Sequence, residues 1–141
     1  MKPDTSTQLF VYGTLRNDPS HEMFHLLARN AKFVGEARVA GRLYDLGEYP
    51  GMTVQADGGK YVKGELYDVR PERWADVIQQ LDRYEGCADG DPEPREYRRE
   101  LVRAQLSNGR PVDAWAYVLN CPSRGLSEIT SGDYLAKLVA S

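Results

Sequence analysis

Pro71-Glu72-Arg73-Trp74-Ala75-Asp76-Val77-Ile78-Gln79-Gln80-Leu81-Asp82-Arg83-Tyr84-Glu85-Gly86 is the strongest helical pattern in the chain, and strand-like sequence flanks it on both sides. Trp74, Val77, Ile78 and Leu81 recur at the helical spacing, which marks a single apolar stripe. Pro71 suits the first helical position and Gly86 the position just past the end. Going on from Trp74 at roughly 100° per residue, Glu85 returns to within about 20° of that stripe. A carboxylate aimed at apolar packing is costly to keep ionised, so a residue so placed tends to have a chemical role. The competing reading is a last-turn Glu frayed into solvent.

Around this helix the chain reads as strands. Leu9-Phe10-Val11-Tyr12 is a continuous apolar run ending at Gly13, a buried strand entering a tight turn. Asp18 and Pro19 open a short helix to about Arg29, with Met23, Leu26 and Leu27 on its apolar side. Val34 to Leu46 reads as strand, with an interruption near Gly41. Asp57-Gly58-Gly59 is a turn signal and predicts a hairpin between Met52–Ala56 and Tyr61–Val69. Asp89 to Pro94 is a polar, breaker-rich loop. Tyr97–Leu106 and Val112–Leu119 form a second predicted strand pair across Ser107-Asn108-Gly109-Arg110. In the latter strand Val112, Ala114, Ala116 and Val118 make a small apolar face, and Trp115, Tyr117 and Leu119 a large one. A last helix is expected over about 131–140, burying Leu135, Leu138 and Val139. Many short strands, few helices and no regular alternation predict an α+β domain built on a curved or closed sheet. The expected organisation is a single domain over residues 1–141, with its core over about 8–120.

Composition narrows the function. A chain of 141 residues with net charge −3 offers no electrostatic case for nucleic acid or an anionic membrane. No apolar run approaches the ~18 residues of a membrane span, and no signal-peptide pattern opens the chain, so a cytoplasmic location is expected. Cys87 and Cys121 form no framework or ligand cluster and are compatible with reduced thiols, the alternative being one disulfide.

Two segments together resemble one family. Tyr12-Gly13-Thr14-Leu15 follows the first strand, and Leu81-Asp82-Arg83-Tyr84-Glu85-Gly86 closes the helix. In this order and context they resemble the γ-glutamylcyclotransferase-like proteins, most closely the γ-glutamylamine cyclotransferase branch and its small bacterial relatives. Gly64-Glu65-Leu66-Tyr67 resembles a Gly-Glu-x-Tyr stretch of that family, and Ser131-Gly132-Asp133-Tyr134 a Gly-Asp-aromatic ending. The resemblance implies a small mixed β-barrel with about three flanking helices. It also implies one pocket between the Tyr12–Leu15 loop and the acidic helix end.

The implied reaction suits these residues. The free α-amine of a γ-glutamyl compound attacks its own γ-carbonyl, closes the five-membered lactam 5-oxoproline and expels the amine or amino acid attached there. Because the attack is intramolecular, the protein need only fold the substrate, move protons and stabilise the oxyanion. Glu85 takes the acid/base role. Backbone N–H groups of Gly13, Thr14 and Leu15 cradle the substrate carboxylate or the oxyanion, and Tyr12 walls the pocket or donates a hydrogen bond. Tyr97 and Tyr117 are further candidates for pocket hydroxyls, against the commoner reading of packing tyrosines. The reaction requires no metal, nucleotide or organic cofactor, and the expected partner is a small γ-glutamyl molecule.

Other readings compete with this one. Arg95, Arg98, Arg99 and Arg103, interleaved with Glu96 and Glu100, read as a solvated strand edge, or as an Arg reaching the substrate carboxylate. His21-Glu22-Met23-Phe24-His25 matches the zinc-protease pattern, but the chain has only these two His. A non-catalytic module binding a γ-glutamyl metabolite is a further alternative. An interaction protein presenting Tyr61, Trp115 and Tyr117 as an outer patch is another.

Overall fold

The structure is a computed structural model that describes residues 6–12, 22–46, 50–55, 59–85, 97–120 and 125–134. In chain order the elements are β1 (Gln8–Val11), α1 (Glu22–Asn30), β2 (Ala31–Asp45), β3 (Pro50–Val54) and β4 (Tyr61–Val69). A 3-10 turn (Pro71–Arg73) then leads into α2 (Trp74–Glu85), β5 (Tyr97–Leu106), β6 (Pro111–Leu119) and the short β7 (Ser127–Glu128).

Five strands close a mixed barrel in the order β2-β4-β1-β6-β5, and β5 returns to β2 through Ala37–Val39 against Ala104–Leu106. The β1–β6 pairing, Leu9 opposite Trp115, is parallel, and the other pairings are antiparallel. Closure removes the free edges that would otherwise template association. The alternation in β6 sorts its side chains between two cores. Ala114, Ala116 and Val118 fill the barrel interior with Phe10, Val39 and Leu66, while Tyr117 and Leu119 face outward beneath the helices. Val77, Ile78 and Leu81 of α2 bury the expected stripe in that outer layer, with Leu26 and Leu27 of α1.

Two expectations are corrected. The hairpin between β3 and β4 does not form, because β3 and β4 lie on opposite sides of β2 and both pair with it. At 15 residues, β2 is long enough to take β4 along Ala31–Ala40 and β3 along Gly41–Asp45. Nor does Gly41 interrupt the strand. It is the point where β2 passes from one partner to the other, and a side chain there would run into the main-chain oxygen of Thr53. The irregularity falls instead between Phe33 and Gly35, where the register against β4 shifts. The β5–β6 hairpin forms as expected, with Gly109 at positive φ in its turn.

Among the described residues there are two α-helices. At the expected start of a third, Ser131 Oγ accepts the Asp133 N–H at 3.2 Å, and its Leu135, Leu138 and Val139 lie outside the described residues. So do the opening of α1 at Asp18 and Pro19, both cysteines and the 89–94 loop. The proposed outer aromatic patch does not form: Tyr117 is buried, the Trp115 indole donates to the Ser6 carbonyl, and Tyr61 stacks under Arg38.

Candidate active site

Tyr12 continues β1 into the barrel interior, and its hydroxyl holds together strands that are remote in sequence. It donates to the main-chain oxygen of Tyr117 at 2.6 Å and accepts the Met52 N–H at 3.2 Å. Burial, and then the negative charge of Glu85, push its phenol well above the usual value of 10, against the Met52 bond that lowers it. Tyr12 is therefore a neutral phenol with a committed proton, and it is no candidate for the base. Asp82, in the last turn of α2, accepts the Tyr117 hydroxyl, and the Tyr117 main-chain oxygen accepts that of Tyr12, so the helix end that carries Glu85 lies near the end of β1. The two sequence segments that carried the family resemblance thus come close at Tyr12 and Asp82, with Tyr117 between them. Gly13, Thr14 and Leu15, which follow Tyr12 directly, lie outside the described residues.

Glu85 is half-buried, whereas its neighbour Tyr84 is 49% exposed. A negative charge at the C-terminal end of a helix also meets the carbonyl end of the helix dipole. Placing an acid there runs against local electrostatics, which is the pattern of a group kept for its chemistry.

Tyr97 and Tyr117 are both buried and both close to this corner, but their hydroxyls are turned to protein partners. Tyr97 donates to the carbonyl of Pro50 at 2.5 Å. Tyr117 donates to Asp82 Oδ1 at 2.7 Å. With Tyr12 bonded to Met52, the start of β3 is held from two sides by tyrosine hydroxyls. Gly51 sits between these anchors, where a Cβ would fall 2.5 Å from Leu119 Cδ2. The absent side chain lets β3 lie against β6.

Asp82 has a part in the site that was not read from the sequence. Its carboxylate takes Arg99 through Nε at 2.9 Å and Nη2 at 3.2 Å, in addition to the Tyr117 hydroxyl. Arg99 also lies over the Trp115 ring at 5.0 Å. The reading of the arginines as a solvated edge holds for Arg103, paired with exposed Asp113, and for Arg98 beside Glu100. It fails for Arg99, which fastens α2 to the barrel wall. The available signal was spacing: Asp82 and Glu85 are three apart and share a helix face. Arg95 and Glu96 lie outside the described residues.

In the zinc-protease pattern, His25 is exposed on α1 and His21 lies outside the described residues. Among the described residues no group of three His, Cys, Asp or Glu side chains could hold a metal ion. No helix among them is long and apolar enough to cross a membrane.

The model of the family described as "Gamma-glutamyl cyclotransferase, AIG2-like" matches residues 9–136. A Vibrio cholerae protein provisionally named a γ-glutamylcyclotransferase is 33% identical over 132 residues, covering 92% of this chain and 96% of its own. The γ-glutamylcyclotransferase family protein YtfP of Escherichia coli K12 is 32% identical over 129 residues, covering 91% of this chain and 96% of its own. Among solved structures, an AIG2-like protein from Mus musculus superposes with a TM-score of 0.68 at 25% identity, over 89% of this chain and 86% of that one. The match spans both motif segments and every strand of the barrel, and the chain belongs to the γ-glutamylcyclotransferase, AIG2-like family.

Proposed function

We propose that the chain releases 5-oxoproline and a free amine or amino acid from a small γ-glutamyl compound, with Glu85 as general acid/base. The observation that carries this reading is the run of bonds from Asp82 through Tyr117 to Tyr12, which brings the last turn of α2, ending in Glu85, beside the residue that opens the Tyr12–Leu15 stretch. Tyr12 cannot serve as base, since its proton is held by the Tyr117 carbonyl and its phenol is pushed upward. Glu85 is then the group positioned to take the proton.

In the proposed step the α-amine nitrogen attacks the γ-carbonyl carbon and gives a proton to Glu85. The carbonyl electron pair moves onto oxygen, where backbone N–H groups of Gly13, Thr14 and Leu15 receive it. Collapse of that oxyanion breaks the bond to the leaving nitrogen, and Glu85 returns its proton there. The Tyr12 ring forms a wall of the pocket. Tyr97 and Tyr117 shape the site through Pro50 and Asp82.

The test is 5-oxoproline release from a panel of γ-glutamyl amino acids and γ-glutamyl amines by wild type and Glu85→Gln, each with and without a chelator. Turnover lost in Glu85→Gln but kept with chelator supports the reading and ranks the leaving groups. No release from any compound favours a binding module, and chelator-sensitive peptide cleavage points back to His21 and His25.

A further inference from the structure

Asp82 combines three features that packing alone does not call for. It is a charged residue with a side chain only 15% exposed, it sits in the last turn of a helix where the dipole disfavours an acid, and both its oxygens are engaged. Its partners come from two different barrel strands, Arg99 on β5 and Tyr117 on β6. Tyr117 in turn accepts the Tyr12 hydroxyl through its main-chain oxygen. A continuous set of bonds therefore runs from the end of α2, through the β6 wall, to the Tyr12 hydroxyl.

We propose that Asp82 is a positioning residue, whose bonds to Tyr117 and Arg99 hold the last turn of α2 against the barrel and so set Glu85 over the Tyr12 corner. This rests on the acid/base reading of Glu85. The fully buried residues of α2 end at Leu81, directly before Asp82, so the bonds of Asp82 continue the attachment of the helix to the barrel into its last turn. A salt-bridged carboxylate with a buried tyrosine donor defines direction as well as distance, which a hydrophobic contact does not. Tyr117 on this account acts through Asp82 and does not itself touch the substrate.

The experiment measures kcat and KM separately for 5-oxoproline release by the full chain. It compares wild type, Asp82→Asn, Tyr117→Phe and the double variant, with thermal melts run alongside. Asp82→Asn is expected to lower kcat about 10- to 100-fold, the scale on which small misplacements act, with KM within about threefold. Tyr117→Phe should lower kcat with KM likewise unchanged. The double variant should be no worse than Asp82→Asn within about twofold, because both changes loosen the one set of bonds at Asp82, the first by removing the charge and one acceptor that Arg99 uses and the second by removing the hydroxyl donor. Should Asp82→Asn fail to fold, Tyr117→Phe carries the test alone, since it removes a single hydroxyl and keeps the ring. A folded Asp82→Asn with wild-type kcat overturns the proposal, and so does a Tyr117→Phe whose effect falls on KM. Wild type that releases no 5-oxoproline from any compound overturns the acid/base reading and this proposal together. An active wild type beside an equally active Asp82→Asn overturns the proposal alone.

Discussion

The hydroxyl of Tyr12 donates to the main-chain oxygen of Tyr117 at 2.6 Å, fully inside the protein and across 105 residues of sequence. With the Met52 N–H on its other side, this oxygen ties β1, β6 and β3 together at the corner where the last turn of α2 is bonded to Tyr117.

Tyr12→Phe should therefore destabilise the fold and not only affect turnover. It leaves the Met52 N–H and the Tyr117 carbonyl without this shared partner in a buried place, at a cost of about 1–3 kcal/mol. Urea unfolding measures it, and a midpoint equal to wild type would show that water or a small shift replaces the bond.

Glu85→Gln should keep the fold and lose the reaction. The substitution preserves shape but cannot accept and return a proton, so turnover should fall by about 10²- to 10⁴-fold. The variant should melt close to wild type. A variant as active as wild type would remove Glu85 from the acid/base role.

Gly64→Ala should be disruptive although it adds one methyl group. A Cβ at Gly64 meets the main-chain oxygen of Val11 and the ring of Phe10, on the strand that leads into Tyr12. Overpacking of this kind costs about 1–3 kcal/mol, and backbone on one side leaves little room to relax. Chemical denaturation checks this, and tolerance of alanine would mean that β1 can move aside.

Acid should weaken the attachment of β7 to β2. The hydrogen bond from Lys60, at 3.0 Å, and the charges of Lys60 and Arg42 hold the Glu128 carboxyl below its usual 4.5, against a smaller opposing effect of desolvation. A carboxyl lowered by folding stabilises above its unfolded value, and that contribution is lost as pH falls from about 4.5 through the folded value. Glu128→Gln should thus be less stable than wild type near neutrality, with the gap narrowing as pH falls. Urea midpoints across that range test it; a gap independent of pH would assign the effect to packing.

Binding of the product gives an independent check on the site. A ligand of the native state at 100 times its Kd stabilises by about 2.7 kcal/mol, so 5-oxoproline should raise Tm in a concentration-dependent way. Absence of any shift at high concentration would argue that the corner is not where the γ-glutamyl half sits.

Much of this was legible one segment at a time. The stripe of α2, the apolar run of β1 and the two faces of β6 follow from periodicity, which is local and needs no partner. The partner of each strand was not legible in the same way, because alternation says which face a residue points to and nothing about which strand lies alongside. Asp57-Gly58-Gly59 signals a turn, yet only the length of β2 and closure against β5 place β3 and β4 on opposite sides of it.

The same division runs through the candidate site. By itself the sequence determined that α2 ends on an acid and that Tyr-Gly-Thr-Leu follows the apolar run of β1, since both depend on neighbours in the chain. Only the tertiary structure decided that the hydroxyls of Tyr12, Tyr97 and Tyr117 are spent on Tyr117, Pro50 and Asp82. It alone decided that Arg99 leaves the solvated edge for Asp82. A hydroxyl or guanidinium finds its partner among groups that barrel closure brings within about 3 Å, and those groups are remote in sequence.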